Sequence, residues 1–529
     1  EFVNEPPADF ALSDARRKMD LALQQVQKQF GKRYPLVISG KQVTTDEEVP
    51  SVNPSRPDEI VGYSTAGNSV NVMEAVAAAR LALSRWSQTT FDERARLIER
   101  VADRLRQRRY ELAAWQVFEV GKTWMEADAD VVEAIDFCDF YAEEARRLGR
   151  GRLTQDIPGE VSIETYIPRG VGAIIAPWNF PLAILCGMTV AALVTGNTVI
   201  IKPAEQSTVI GALFMEALIE AGVPPGVANL VSGTGEAVGS YLVVHPEVDF
   251  VAFTGSREVG TSIWQLAGIT HPGQRSLKKV ICEMGGKNAL IVDTDADLDE
   301  AVVGIIHSAF GFQGQKCSAL SRLILVGEVG DRLLPRLTEA AAALKIGYPE
   351  DPSTDVGPVI DKDAQSKIER YRDIGKQKHK TAFEAVLPDH LKGYFVPPTI
   401  FVDVPIDAQI AQEEIFGPVL SVHRADDLAK AIEMANSTPF ALTGGLYSRS
   451  PDNIAKVRHG FQVGNLYINR SITGAIVGRH PFGGFNMSGG GTKAGGRDYL
   501  LHFTFPRVVT ENTLRRGFAP DTEAEVARK

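Results

Sequence analysis

At 529 residues, with hydrophobic side chains making up 44% of the total, the chain exceeds what one hydrophobic core supports and points to two or three globular domains. A formal net charge of −10 and the lack of a basic stripe argue against nucleic acid as a partner. Cys138, Cys186, Cys282 and Cys317 are scattered, with no C-x-x-C pair and no zinc-site spacing, so no metal is expected and a reducing compartment fits best.

The chain opens "EFVNEPPADF", acidic and without an apolar h-region, which does not read as a signal peptide; the missing Met reads as a processed or engineered end. No apolar run of about 18 residues occurs, so no membrane span is expected. Residues 11–31 read as a charged helix and "YPLVISGKQV" as a short strand and turn. Asn71 followed by Glu74 predicts a capping box opening a helix whose Val72, Val76, Ala79 and Leu83 share one face. Leu97, Val101 and Leu105 repeat that spacing, so residues 1–150 read as mostly amphipathic helix.

From residue 171 the pattern changes. "GVGAIIAP", "GNTVIIKP", "GVANLVSG" and "VDFVAFTGS" read as strands alternating with helices, which predicts βαβ units and a mainly parallel, Rossmann-like sheet over 169–284. A second α/β region, 285–485, offers "NALIVD", "SRLILVGE", "IFGPVLSVHRA" and "GNLYINR". The residues after 513 are charged and without period, and read as a partly disordered tail.

Several short stretches carry chemistry. Cys317 sits in "GFQGQKCSALSR", a Gly- and Gln-rich turn ahead of an apolar strand, where polar neighbours suit a reactive thiol better than a packed one. Asn179 in "PWNFP" is either an oxyanion donor or an Asx-turn former. Glu283 in "CEMGGKN" is either a desolvated general base or a surface partner of Lys287. "FTGSREVG" offers Gly255 and Ser256 at a helix start, either an anion site or an ordinary Ser cap. Gly233, Gly235 and Gly239 miss the G-x-G-x-x-G spacing by one place. Thiol, base and amide donor together describe acyl transfer. A papain-like protease is the competitor, but no matching cysteine signature is present.

Through "PWNFP", "KPAE", "FTGSREVG", "EMGGKN", "GQKCSA", "EEIFGPV" and "PFGGF", in that order, the chain resembles the aldehyde dehydrogenase superfamily over about residues 40–510. The resemblance is strongest to its Δ1-pyrroline-5-carboxylate (L-glutamate γ-semialdehyde) branch, notably over 464–500. It implies a Rossmann-like NAD-binding domain, an α/β catalytic domain and a small β flap for oligomerisation at 151–168 with a strand in 486–512. By that resemblance Cys317 is the nucleophile, Glu283 the base for the deacylating water, and Asn179 with the Cys317 N–H the oxyanion hole. NAD would be held by Lys202 and Glu205 at the adenosine ribose, Trp178, Thr254, Gly255 and Ser256 near the pyrophosphate, and Glu414 and Phe416 at the nicotinamide end. A carboxylate at Glu205 would repel a 2′-phosphate and so favour NAD over NADP. Ser318, Gly495 and Gly496 would grip the substrate's α-carboxylate, with Phe180 and Phe503 beside its chain; on composition alone the "KAGG" glycines read as a flexible surface turn, and only the resemblance turns them into an anion grip. Met284, His480 and Asn486 depart from the commoner family residues without touching a catalytic group.

The implied reaction is NAD-dependent oxidation of L-glutamate γ-semialdehyde to glutamate, in a homodimer or higher oligomer, with a proline-oxidising enzyme as a further partner. A cytoplasmic location is expected, or the mitochondrial matrix in a eukaryote. The alternatives are a dehydrogenase of another semialdehyde, a CoA-acylating relative, which Glu283 argues against, and a recruited non-catalytic member of the fold.

Overall fold

In the computed structural model, which describes residues 2–513, two seven-stranded sheets carry the architecture. The first runs, in spatial order, Lys279–Glu283, Phe250–Thr254, Val171–Ile175, Thr198–Lys202, Ala228–Leu230, Leu36–Ile38 and Lys41–Val43. Its first five strands are parallel and its last two add antiparallel, so the early "YPLVISGKQV" segment extends this sheet. These strands are continuous apolar runs because both faces are covered. The helices Phe91–Gln107, Trp124–Gly149, Ala183–Val194 and Thr208–Glu220 pack on one face, and Ser69–Trp86 and Arg257–Ala267 on the other.

Chain order reverses beside Val171–Ile175: the following strands build outward on one side, and Phe250–Thr254 returns to its other flank. Such a switch point leaves a crevice at the carboxyl ends of the two strands. The segments that follow them, 177–181 and 254–256, are the expected cofactor loops.

The second sheet runs Lys380–Glu384, Thr399–Val402, Val419–Ala425, Leu320–Val326, Asn288–Val292, Thr443–Tyr447 and Asn465–Ile468, parallel except at its Lys380–Glu384 edge. Strand Thr443–Tyr447 escaped the sequence reading because its glycines hide the apolar pattern. Glycine is required there, since a Cβ at Gly444 would lie 2.3 Å from the Phe461 ring. A third, three-stranded antiparallel sheet joins Arg152–Ile157, Glu160–Pro168 and Thr504–Asn512, with Leu153, Val508 and Val509 exposed.

Helix Ser69–Trp86 starts one turn earlier than expected. Asn68, not Asn71, is the N-cap, and Asn71 closes the capping box by accepting from the Asn68 N–H at 3.1 Å; Glu74 takes no part. Val72, Val76 and Ala79 are buried as the spacing requires. The charged tail expected after residue 513 lies outside the described residues.

Candidate active site

The turn that presents Cys317 is built against the preferences of its residues. Phe312, Gln313 and Gly314 take φ of +47°, +55° and +68°, a left-handed run that costs the two non-glycine residues about 1–2 kcal/mol each. Specific contacts hold it. The Gln313 side chain donates to Pro358 O at 2.6 Å, and Gln315 Oε1 accepts from the Ile360 N–H at 2.9 Å. Asn288 Nδ2 donates to Cys317 O at 2.7 Å and Ala319 O at 2.9 Å. Lys316 pairs with Glu126 at 2.6 Å. The polar neighbours expected to bathe the thiol are therefore themselves buried and engaged. From Phe312 to Leu320 every residue is buried except Cys317.

Cys317 lines a cavity of about 260 Å³ with Trp178, Asn179, Thr254, Gly255, Ser256, Glu414 and Phe416. Asn179 is buried and donates one amide hydrogen to Gln315 O at 3.0 Å, which fixes its plane and leaves the second hydrogen unassigned. Among the described residues no acceptor takes the Cys317 N–H. Asn179 and the Cys317 N–H thus bring two available donors to the cavity that holds the thiol, the composition an oxyanion hole needs, while the Ser318 N–H is directed at the sulfur itself. Burial, together with the Glu414 and Glu283 charges, pushes the thiol up to about 12, so it rests protonated.

The cavity fits one end of a dinucleotide. Ser256 caps helix Arg257–Ala267 by accepting from the Val259 N–H at 3.3 Å, and the helix opens on the cavity wall. Glu414 is fixed by the Gly286 N–H at 2.9 Å, and Phe416 meets Trp178 edge-on at 5.7 Å. Lys202 and Glu205 are not among the walls of this cavity. Lys202 is buried and donates to Pro203 O at 3.2 Å, while Glu205 accepts from the Gly235 N–H at 2.9 Å, so "KPAE" and the irregular glycine turn meet.

Glu283 ends strand Lys279–Glu283 and is buried, but its carboxylate is turned away from the cavity. Thr492 Oγ1 donates to Oε1 and the Gly484 N–H to Oε2 at 3.3 Å. Burial pushes Glu283 up to about 8. Work as a base on water beside Cys317 thus requires the side chain to rotate. The surface pair with Lys287 is ruled out: Lys287 is buried, its Nζ has no hydrogen-bond partner among the described residues, and burial pushes it down to about 7.

On the side of the thiol formed by residues 122–141 lies a buried group that motif reading missed. Lys122 is wholly buried, 4.3 Å from the Phe180 ring and 4.6 Å from Phe312, and 3.8 Å from Asp130. Asp130 accepts from the Leu182 N–H at 3.1 Å, just beyond "PWNFP". Glu133 makes no hydrogen bond or ion pair among the described residues; burial pushes it up to about 8, and its charge raises Cys317. The available signal was the acidic spacing of "MEADADVVEAID" on one helix, which solvent exposure explains equally well.

The residues expected at the substrate are engaged within the protein in this resting geometry. The Gly495 N–H is not free, since it donates to the Tyr141 hydroxyl at 2.8 Å, and the Gly496 N–H donates to Lys493 O at 3.0 Å. Phe503 is wholly buried, edge-on to Phe250 at 5.6 Å and to Tyr499 at 5.3 Å. Ser318 is buried beside Cys317, and its carbonyl accepts from Thr443 Oγ1 at 3.2 Å.

Residues 42–509 match the aldehyde dehydrogenase family. A 1-pyrroline-5-carboxylate dehydrogenase from Geobacillus sp. (strain WCH70) is 48% identical over 512 residues, covering 96% of this chain and 99% of that one. The Bacillus subtilis (strain 168) 1-pyrroline-5-carboxylate dehydrogenase is 45% identical over 510 residues, 96% of this chain and 99% of that one. Among solved structures, the Thermus 1-pyrroline-5-carboxylate dehydrogenase with bound NAD superposes with a TM-score of 0.95 at 47% identity, covering 97% of this chain and 99% of that chain. Proline utilization A from Bdellovibrio bacteriovorus superposes with a TM-score of 0.97 at 50% identity; 98% of this chain is covered but only 54% of that one, so this chain spans about half its length. The match over residues 42–509 and relatives 45–48% identical along nearly the whole chain show that this chain belongs to the aldehyde dehydrogenase family.

Proposed function

We propose that this protein oxidises L-glutamate γ-semialdehyde, the open form of Δ1-pyrroline-5-carboxylate, to L-glutamate with NAD, the second step of proline catabolism. The observation that carries the reading is the placement of Cys317, the one residue of its turn to reach the cavity, between two unused N–H donors and the Glu414–Phe416 wall.

Cys317 loses its proton to water as its sulfur bonds the aldehyde carbon, and the alkoxide so formed is held by the Asn179 amide and the Cys317 N–H. Trp178, Ser256, Glu414, Phe416, Lys202 and Glu205 would hold NAD, which would supply the hydride acceptor; loss of hydride from that carbon leaves a thioester on Cys317. Glu283 rotates inward and takes a proton from water. The resulting hydroxide adds to the thioester, the C–S bond breaks, and glutamate leaves as the carboxylate.

The amino-acid head of this substrate explains features that a simple aldehyde leaves without a role. Glu133, half-buried and with no hydrogen bond or ion pair among the described residues, is suited to an ammonium group. The Tyr141 hydroxyl sits on the Gly495 N–H where a carboxylate oxygen is expected and gives way to it. Phe180, braced by Lys122, flanks the chain. We assign 169–284 with the N-terminal helices to cofactor binding, 285–485 to catalysis, and 151–168 with 486–512 to oligomerisation, since the exposed Val508 and Val509 leave an apolar strand to cover.

Four free cysteines fit a cytoplasmic location, and no helix among the described residues is long and apolar enough to cross a membrane. The likeness to half of proline utilization A supports a proline-oxidising enzyme as the supplier of substrate. The test is kcat/KM with NAD for glutamate semialdehyde, succinate semialdehyde and uncharged aldehydes. A preference of about 100-fold for glutamate semialdehyde is expected, because a site with buried polar groups rejects analogues that leave them unpaired. Equal values across the panel would sink the substrate assignment.

A further inference from the structure

The loop that faces Glu283 is a Gly-rich hairpin from the catalytic half of the chain, docked on the open edge of the first sheet. The Met284 N–H donates to Ser488 O at 2.8 Å, and the Gly490 N–H to Cys282 O at 3.1 Å, so the hairpin pairs with the strand that ends in Glu283. Phe482 and Ala494 exchange backbone bonds of 2.8 Å and close the hairpin. Two glycines keep its inner wall close to the carboxylate. A Cβ at Gly483 would lie 2.9 Å from Glu283 Oε1, and one at Gly489 would lie 3.1 Å from Oε2. Thr492 is the one side chain of this wall that hydrogen-bonds the carboxylate.

We propose that Thr492 is a positioning residue for the deacylating base: its hydroxyl latches the ionised Glu283 carboxylate in a seat outside the cavity, and deacylation begins when Glu283 leaves that seat. This rests on the reading of Glu283 as the base given above. The other titratable groups around Glu283 do not reach it by hydrogen bond. Lys493 is tied to Gly464 O and Gly483 O, both at 2.6 Å, and to Asn465 Oδ1 at 3.0 Å. Tyr499, Cys317 and Cys282 interact with it through charge alone. The Gly484 N–H, at 3.3 Å, is the other donor.

A latch has a kinetic signature that a supporting contact lacks. Three states compete: protonated and seated, ionised and seated, ionised and rotated. Only the last activates water. Thr492 stabilises the second most, because a hydrogen bond to a carboxylate is about twice as strong as one to a neutral acid. Below the midpoint the protonated state dominates, so removing the hydroxyl does not slow the reaction. Above it the latched state dominates, so removing the hydroxyl speeds the reaction.

The experiment measures thioester hydrolysis against pH by trapping the acyl-enzyme for intact mass spectrometry after a burst of NADH. For Thr492→Val we expect the midpoint to rise by about one pH unit and the alkaline plateau to rise about tenfold. The rate at pH 7 should be no lower than the parent's, and the NADH burst should be unaltered. Thr492→Ser should keep the parent profile. A fall at every pH in Thr492→Val, an unchanged profile, or the same shift in Thr492→Ser would each overturn the latch. Glu283→Gln separates the two readings: it should give a burst and then stop, whereas full turnover would remove Glu283 as the base whatever Thr492 does.

Discussion

Asn179→Ala isolates the contribution of one oxyanion donor, and the structure sets its size. The amide has two hydrogens; one fixes the side chain on Gln315 O at 3.0 Å, and the other is left for the oxygen that becomes negative when Cys317 adds. Among the described residues the Cys317 N–H remains as the second donor of the proposed hole, with the Ser318 N–H directed at the sulfur itself, so the variant keeps half of the hole. Loss of one such donor costs about 2.7–4 kcal/mol, or 10²–10³ in rate. Gln315 also lies two residues before the nucleophile, and freeing its carbonyl loosens the turn, which places the expected loss at the upper end, about 10³. The assay is single-turnover NADH formation by stopped flow with enzyme in excess over aldehyde, so that neither thioester hydrolysis nor product release contributes. NAD affinity should stay within about threefold, because the cofactor walls Ser256, Glu414 and Phe416 are held by contacts that do not involve Asn179. A burst rate within tenfold of the parent would refute the oxyanion assignment, and so would a defect confined to KM.

Cys317→Ala should bind NAD normally yet show neither an NADH burst nor an acyl adduct by mass spectrometry. Glu133→Gln tests this half-buried carboxyl in two ways. Burial raises this carboxyl from its ordinary 4.5 to about 8, so the folded protein holds a proton that the unfolded chain releases, and stability falls as pH rises between those values. The variant's Tm should therefore match the parent's at pH 5 and exceed it at pH 9, while its KM for glutamate semialdehyde rises at least tenfold; a Tm difference independent of pH would show that the charge is not held as described. Arg322→Met should destabilise by about 3–5 kcal/mol in denaturant titrations. It removes a buried guanidinium whose hydrogen-bond partners among the described residues are Lys287 O at 2.9 Å, Met434 O at 3.0 Å, Ala435 O at 2.8 Å and Ser437 Oγ at 3.4 Å, and a loss under 1 kcal/mol would contradict that account.

What could be read from the sequence were features carried by contiguous residues at strand ends. "PWNFP", "FTGSREVG" and "EEIFGPV" each form a local turn or helix start, and parallel-sheet topology brings the three to one cavity without further information. Features that depend on a distant partner could not be read. The direction of Glu283 is decided by Gly484 and Thr492, about 200 positions away, and nothing in "CEMGGKN" encodes it. Asn288 looks like a polar residue opening an apolar strand, and its role in clamping the Cys317 turn follows only from the register of Asn288–Val292 against Leu320–Val326. The resemblance points the Gly495 N–H at a substrate carboxylate, and the acceptor it finds at rest is Tyr141, from a helix read simply as amphipathic.

The resting electrostatics tie these distant contributions into one cycle. After burial itself, the Glu414 and Glu283 carboxylates are the largest influences keeping Cys317 protonated, with Glu133 adding to them. Each belongs to a different part of the proposed reaction: Glu414 to the cofactor wall, Glu133 to the substrate's ammonium group, Glu283 to the water. An ammonium set against Glu133 would offset one of these charges, while Glu283 raises the thiol even from its seat on Thr492 and would raise it further on entering the cavity. The thiol is thus easiest to ionise when substrate is in place and the base is still withdrawn, the condition under which sulfur should attack. Once the thioester has formed there is no thiolate left to repel, and the entry of Glu283 no longer opposes the charge it would otherwise meet. Proximity of like charges therefore orders attack before hydrolysis, with no moving domain required.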